Sequence, residues 1–303
     1  MQLIISAGAI ALIVIWGLVS PATLGSFFNT ALASITHNFG WFYLWLVLGL
    51  VVLAFFLAFS RFGDLKLGDT DDEPEFSLHA WFAMLFAAGM GIGLVFFGVA
   101  EPVSHYGNPP AGITPNTPEA AHAAMRYAFF HWGLHPWAIY GVVGLAIAFF
   151  TFRRKAQPLV SSVTEALPWP LVRTLSPAFN VLAIVATAFG VAASLGVGAT
   201  QINGGLHAAF GLDVSPVNQA IIIVVTTILF ITSAVTGVER GVKWLSIGNL
   251  VLAGLLALFV LVVGPTIAIV DTFTATLGAY LSELVRMSLR MTPFRDSTWV
   301  GDW

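Results

Sequence analysis

The sequence predicts an all-α, polytopic membrane protein with seven transmembrane helices, and three observations predict it. Hydrophobic residues make up 58% of the 303 positions and charged residues only 9%, against roughly 25% charged in an average soluble domain. The first charged side chain is Arg61, and five later stretches run twenty-five or more residues without an ion. The apolar residues also gather into seven runs of spanning length. A hydrocarbon core about 30 Å thick needs about 20 helical residues, because every backbone N–H and C=O must be paired within the segment.

In chain order the runs are 3–20, 41–60, 77–100, 127–152, 179–200, 217–237 and 244–264. Leu3 to Val19 has the look of a signal-peptide core, but it lacks a basic leader and is long enough to span, so it reads as a retained first helix. Residues 1–60 thus form a pair of spans. The linker 61–76 carries Arg61 and Lys66 beside Asp69, Asp71, Asp72, Glu73 and Glu75, a solvated acidic loop. The five remaining runs fill 77–264. Between them, 152–176 holds Arg153, Arg154, Lys155 and Arg173, and 237–243 holds Arg240 and Lys243, whereas 21–40, 101–122 and 202–216 hold no Lys or Arg. By the positive-inside rule the N-terminus is cytoplasmic and the seventh run ends outside.

Beyond Pro265 the pattern changes. Phe273, Leu277, Tyr280, Leu284, Met287 and Met291 recur at helical spacing, with Ser282, Glu283, Arg286 and Arg290 opposite. Residues 265–303 therefore read as a helix lying along the outer membrane surface, followed by a polar and aromatic tail from Pro293 to Trp303. With no cysteine there is neither a disulfide framework nor a thiolate nucleophile or ligand. A net charge of -3 argues against a nucleic-acid partner. The bilayer is the partner that composition requires.

Four groups of residues could carry chemistry. Ala87-Ala88-Gly89-Met90-Gly91-Ile92-Gly93 sets three glycines at alternate positions inside the third run. Each weakens a helix by nearly 1 kcal/mol relative to alanine, which suits an unwound stretch whose freed carbonyls meet a cation, as in discontinuous transporter helices. The competing reading is packing, since Gly89 and Gly93 also make a GxxxG face. In the fourth run, Trp132, Trp137 and Tyr140 fall within an arc of roughly 140° at about 100° per residue, apart from any distortion at Pro136. Electron-rich rings on one face suit a cation with no hydrogen to donate, a quaternary ammonium; interfacial anchoring is the alternative. His131 and His135 lie one turn apart, without an acid or third histidine in the run, and packing is preferred to metal. Thr187 and Ser194 are hydroxyls in an apolar helix, by default bonded to the preceding turn and alternatively placed to help hold sodium or line a pathway. Glu101, just after the third run, reads as a structural acid at headgroup level.

Together these residues resemble the betaine/choline/carnitine transporter family. The resemblance rests on Gly89-Met90-Gly91-Ile92-Gly93 with Glu101-Pro102 after it, the His131 to Tyr140 block, Phe189-Gly190 to Gln201, and Gly237-Val238-Glu239-Arg240-Gly241-Val242-Lys243-Trp244. It implies a LeuT-like fold of two peripheral spans and two inverted five-helix repeats, of which this chain holds the peripheral pair and the first repeat. It further implies that Gly89, Gly91 and Gly93 form an unwound substrate segment, and that the backbone carbonyls of Ala87 and Met90, with Thr187, serve a sodium site. Trp132, Trp137 and Tyr140 would box a trimethylammonium group, with Ser194 along the pathway. Family members that take choline often have an aspartate at the position of Gly93, so its absence leans toward a zwitterion such as glycine betaine. The family's sodium-coupled members can carry a second threonine where this chain has Val191, which speaks against a second sodium ion.

The expected function is a sodium-coupled secondary transporter of a compatible solute in the cell's inner (plasma) membrane. Sodium serves as coupling ion, there is no other cofactor, and the assembly is a homotrimer of the kind the family commonly forms. A choline or carnitine carrier with different coupling is a variant of that reading. Its rivals are a non-transporting membrane module lacking the second repeat, and an intramembrane hydrolase using His131 and His135, which lacks an accompanying nucleophile.

Overall fold

The computed structural model describes residues 2–69, 71–291 and 299. Among them the chain is all-helical and contains no strand. Among the described residues six helical stretches are long and apolar enough to cross a membrane: Gln2–Val19, Pro21–Phe59, Pro118–Arg153, Pro170–Phe210, Pro216–Val235 and Lys243–Val263. The chain divides into two compact units, one of Met1–Asp72, His105–Phe189 and Gly278–Trp303, the other of Glu73–Ser104 and Gly190–Leu277.

In the first unit, α1 (Gln2–Val19) turns at Ser20 into α2 (Pro21–Phe59), one continuous helix of 39 residues where hydropathy places a span only over 41–60. The polar residues of its first half do not break it, because they bond back to the preceding turn: Thr30 Oγ1 to Ser26 O at 2.8 Å, Asn38 Nδ2 to Ser34 O at 2.7 Å. Trp16 Nε1 donates to Thr23 Oγ1 at 2.9 Å across the turn. The fourth run starts earlier than its hydropathy suggests. Thr117 caps α5 (Pro118–Trp132) by accepting the Ala120 N–H at 3.2 Å, with Pro118 at the first helical position. Ala120, Ala123, Ala124, Tyr127 and Ala128 are buried, a helical stripe of mostly small side chains that permits close backbone approach.

Past Gly133, α6 (Leu134–Ala148) packs along α2 and widens into π2 (Phe149–Arg153). There Lys155 pairs with Asp69 at 2.9 Å and Arg153 Nη1 donates to Gly68 O at 3.1 Å, tying the acidic linker to the end of the span. The short α7 (Val160–Glu165) is fixed by Asn180, in the third turn of α8 (Pro170–Phe210). The Asn180 side chain accepts from Ser161 N at 2.9 Å and donates to Gln2 Oε1 at 3.1 Å.

In the second unit the third run is not one regular helix. α3 (Leu78–Gly89) gives way to π1 (Met90–Phe97), and α4 (Gly98–Gly107) begins beyond it, its last residues lying in the first unit. α3 buries Ala80 and Ala83 and packs on α10 (Lys243–Val263). Between α9 (Pro216–Val235) and α10, the chain turns through Gly237 at φ 86°, ψ 170°, and then π3 (Val238–Val242). Only glycine suits that turn. A Cβ on Gly241 would fall 2.1 Å from Ser233 O.

α11 (Thr266–Ser288) forms where the amphipathic pattern predicts a helix. The buried members are Thr276, Tyr280, Met287 and Ser288, while Phe273, Leu277 and Met291 of the predicted apolar face stay exposed. Arg290, assigned by its spacing to the polar face, instead bonds the Tyr127 hydroxyl and lies 5.8 Å from that ring's centroid. Of the tail from Pro293 to Trp303, only Trp299 is among the described residues.

Candidate functional site

The glycine run interrupts its helix at one peptide. Gly91 has φ −64° and ψ −120°, non-helical values inside a wide π turn, so its peptide leaves the line of the i→i+4 ladder. Ala87 and Gly89 lie in the last turn of α3, Met90 opens π1, and Gly93 follows within it. Gly91 is exposed, and a Cβ there would meet nothing within 4 Å. Packing density is therefore not what calls for glycine at this position.

The aromatic residues sit on either side of a second break. α5 ends at Trp132 and α6 starts at Leu134, with Gly133 between them at φ −92°, ψ −132°. A Cβ on Gly133 would lie 2.4 Å from Phe129 O and 2.7 Å from Tyr280 Oη. Pro136 does not distort the span. It is the third residue of α6, where an N–H would have no intrahelical partner anyway. The arc computed for one continuous helix therefore does not apply to Trp132. Trp137 and Tyr140 do meet, edge to face, with centroids 5.8 Å apart. Trp132 and Trp137 are partly buried, and Tyr140 is exposed.

Thr187 and Ser194, on α8, are exposed and make no hydrogen bond among the described residues. The expected bond back to the preceding turn is absent at both, although Thr200 on the same helix makes one, to Gly196 O at 2.8 Å. Gly89, Gly91, Gly93, Ala87, Met90 and Ser194 belong to the second unit, and Trp132, Trp137, Tyr140 and Thr187 to the first.

His131 and His135 go separate ways despite their spacing. The His131 ring lies 5.7 Å from that of His105, and His135 Nε2 is 2.7 Å from Ser288 Oγ. His105 is fully buried, with Tyr127 at 6.0 Å and Trp299 at 5.2 Å between ring centroids, and Trp299 Nε1 donates to Asn108 O at 2.9 Å. Sequence reasoning passed over this ring cluster, because its members come from three distant segments and local spacing carries no trace of it. Glu101, in the first turn of α4, is buried at 4% exposure.

The model of the betaine/carnitine/choline family of transporters matches residues 2–303. The chain belongs to that family. It is 49% identical over 294 residues to the glycine betaine transporter OpuD of Bacillus subtilis, covering 96% of this chain and 57% of that protein. Identity is 42% over 303 residues to an ectoine/hydroxyectoine transporter of Virgibacillus pantothenticus, 99% of this chain and 60% of the relative. A probable glycine betaine transporter of Desulfitobacterium hafniense is 40% identical over 313 residues, again 99% and 60%. The chain thus spans somewhat over half the length of these relatives. The family consists of transporters, not enzymes, which removes the hydrolytic reading of His131 and His135.

Proposed function

We propose that this chain forms the peripheral helix pair and first five-helix repeat, LeuT-like and with seven spans, of a sodium-coupled secondary transporter for a quaternary-ammonium compatible solute such as glycine betaine. The observation that carries the reading is the interruption at Gly91 in a family of betaine-type transporters. A peptide taken out of the helical ladder presents carbonyl oxygens to a cation and N–H groups to an anion without unfolding the flanking helices. Gly89, Gly91 and Gly93 receive the solute's carboxylate end. The trimethylammonium end, which has no hydrogen to donate, is held by the faces of Trp132, Trp137 and Tyr140, an attraction of about 0.5–2 kcal/mol per ring.

Sodium is a co-substrate of the Ala87 and Met90 carbonyls and the Thr187 hydroxyl, which fits an ion that takes neutral oxygen ligands and fits a hydroxyl not spent on its own helix. Solute and ion are coupled because one loosened backbone serves both, so each reduces the ordering cost of the other. With Gly93 rather than an acid beside the site, a zwitterion is preferred over a bare cation. The N-terminus is cytoplasmic, α11 lies on the outer surface of the plasma membrane, and the assembly is a homotrimer.

The test is uptake of labelled glycine betaine by the gene's full reading frame in a strain stripped of its own carriers, with sodium present or replaced by N-methylglucamine. Sodium-dependent, saturable uptake supports the reading. Uptake indifferent to sodium removes the coupling, uptake of ectoine in preference to betaine moves the substrate class, and no uptake of either solute overturns transport.

A further inference from the structure

The span that carries the aromatic residues is in two pieces, and its break is held by a residue 146 positions further along the chain. No side chain from its own sequence caps the start of α6. Instead Tyr280, 4% exposed, turns its hydroxyl onto the break, and Leu134 N–H donates to Tyr280 Oη at 2.9 Å. Without that acceptor a backbone donor would be orphaned inside a membrane span. About two turns further on, Ser288 makes a second tie. Its hydroxyl bonds Leu284 O at 2.7 Å and lies 2.7 Å from His135 Nε2, within hydrogen-bond reach. A third tie joins Arg290 to the Tyr127 hydroxyl. One short stretch, 280–290, therefore grips both sides of the break, through Tyr127 on α5 and through Leu134 and His135 on α6.

We infer that Tyr280 is a positioning residue of the substrate site: by pinning the Gly133 break it fixes where α6 carries Trp137 and Tyr140 relative to Trp132, and so sets how closely the rings fit a trimethylammonium group. This rests on the aromatic-box reading above. The lever is short but sensitive. Tyr140 lies about 9 Å along α6 from Leu134, so a 10° change in the angle at the break moves it by about 1.5 Å. Cation–π attraction needs the cation within about 6 Å of each centroid, so a shift of that size is felt as affinity.

The experiment compares Tyr280→Phe, Ser288→Ala and Trp137→Leu with the wild type in the full reading frame, measuring glycine betaine KM, the maximal rate per expressed molecule, and thermal melting in detergent. Tyr280→Phe keeps the ring, whose centroid is 6.5 Å from that of Phe129, and loses only the acceptor. The expected result is a KM raised about fivefold or more with the maximal rate within about twofold, and a smaller rise of the same kind for Ser288→Ala. If Trp137→Leu raises the KM or stops uptake, yet Tyr280→Phe and Ser288→Ala both keep the wild-type KM, the inference is wrong and the box reading stands. If the maximal rate and the melting temperature fall together at constant KM, Tyr280 is merely structural and the inference is again wrong. A wild type that does not take up betaine overturns the box reading and this inference with it.

Discussion

Replacing Gly133 by alanine tests the break directly. The new Cβ would stand 2.4 Å from Phe129 O, 2.7 Å from Tyr280 Oη and 3.0 Å from Tyr280 Cζ, where an ordinary contact begins at 3.4 Å. The nearest atom is a backbone oxygen of α5 and cannot rotate aside, so the break must open by about 1 Å, enough to pull Leu134 N–H off the tyrosine hydroxyl. Orphaning a buried donor costs about 1–3 kcal/mol, and overpacking adds about 1–3 kcal/mol. Gly141, eight positions further along in α6, is the internal control. Nothing lies within 4 Å of a Cβ there, and alanine gains up to about 1 kcal/mol of helix propensity. The assay is thermal melting of the detergent-purified protein followed by far-ultraviolet circular dichroism. Gly133→Ala should melt roughly 5 °C or more below the wild type and Gly141→Ala at or above it. Equal melting temperatures for the two variants, or a Gly133→Ala protein as stable as the wild type, would refute the packing argument.

Trp137→Leu removes one ring of an edge-to-face pair and should weaken glycine betaine binding by about tenfold or more, read by isothermal titration with an unmethylated glycine control whose weak binding should not change. Gly241→Ala drives a methyl into Ser233 O at 2.1 Å and Thr236 Oγ1 at 2.3 Å, so the turn between α9 and α10 should loosen, read as faster amide exchange across 233–242. The hydrogen bond and charge of Lys155 hold the Asp69 carboxyl below its ordinary 3.8, and Asp69 in turn holds Lys155 above its ordinary 10.5. The pair's contribution is therefore full between those two values. It is lost as pH falls through the depressed carboxyl value and as pH rises through the elevated amine value. At pH 7.5 and low salt, Lys155→Met should speed tryptic cleavage at Lys66, and the difference should vanish in 1 M salt, where the screening length is about 3 Å.

Much of the fold could be read from hydropathy, because hydrocarbon thickness imposes a length that a sequence either meets or does not. What hydropathy could not give is where a helix starts or breaks. Residues 21–40 are polar enough to resemble a loop, yet their hydroxyls and amides are satisfied within the helix, and α2 runs through them. The fourth run draws attention to Pro136, but proline in a first turn costs nothing. The break falls at Gly133, where a tyrosine 147 positions away leaves no room for a side chain. The glycines at 89, 91 and 93 signal a loosened helix from composition alone, whereas the cluster around His105 depends on contacts that no local spacing records.

The length of α2 has a consequence of its own. Its 39 residues measure about 58 Å, nearly twice the oily layer it crosses. Even at a steep lean of about 40° it reaches some 44 Å, from one headgroup layer to the other. A thinner bilayer is met by leaning further, by a local thickening of the lipid or by letting the polar first half of α2 stand clear of it, and the helix packed along α2, which would feel a lean, is the α6 that bears Trp137 and Tyr140. Lipid chain length is thus a variable worth setting when the fit of those rings is measured.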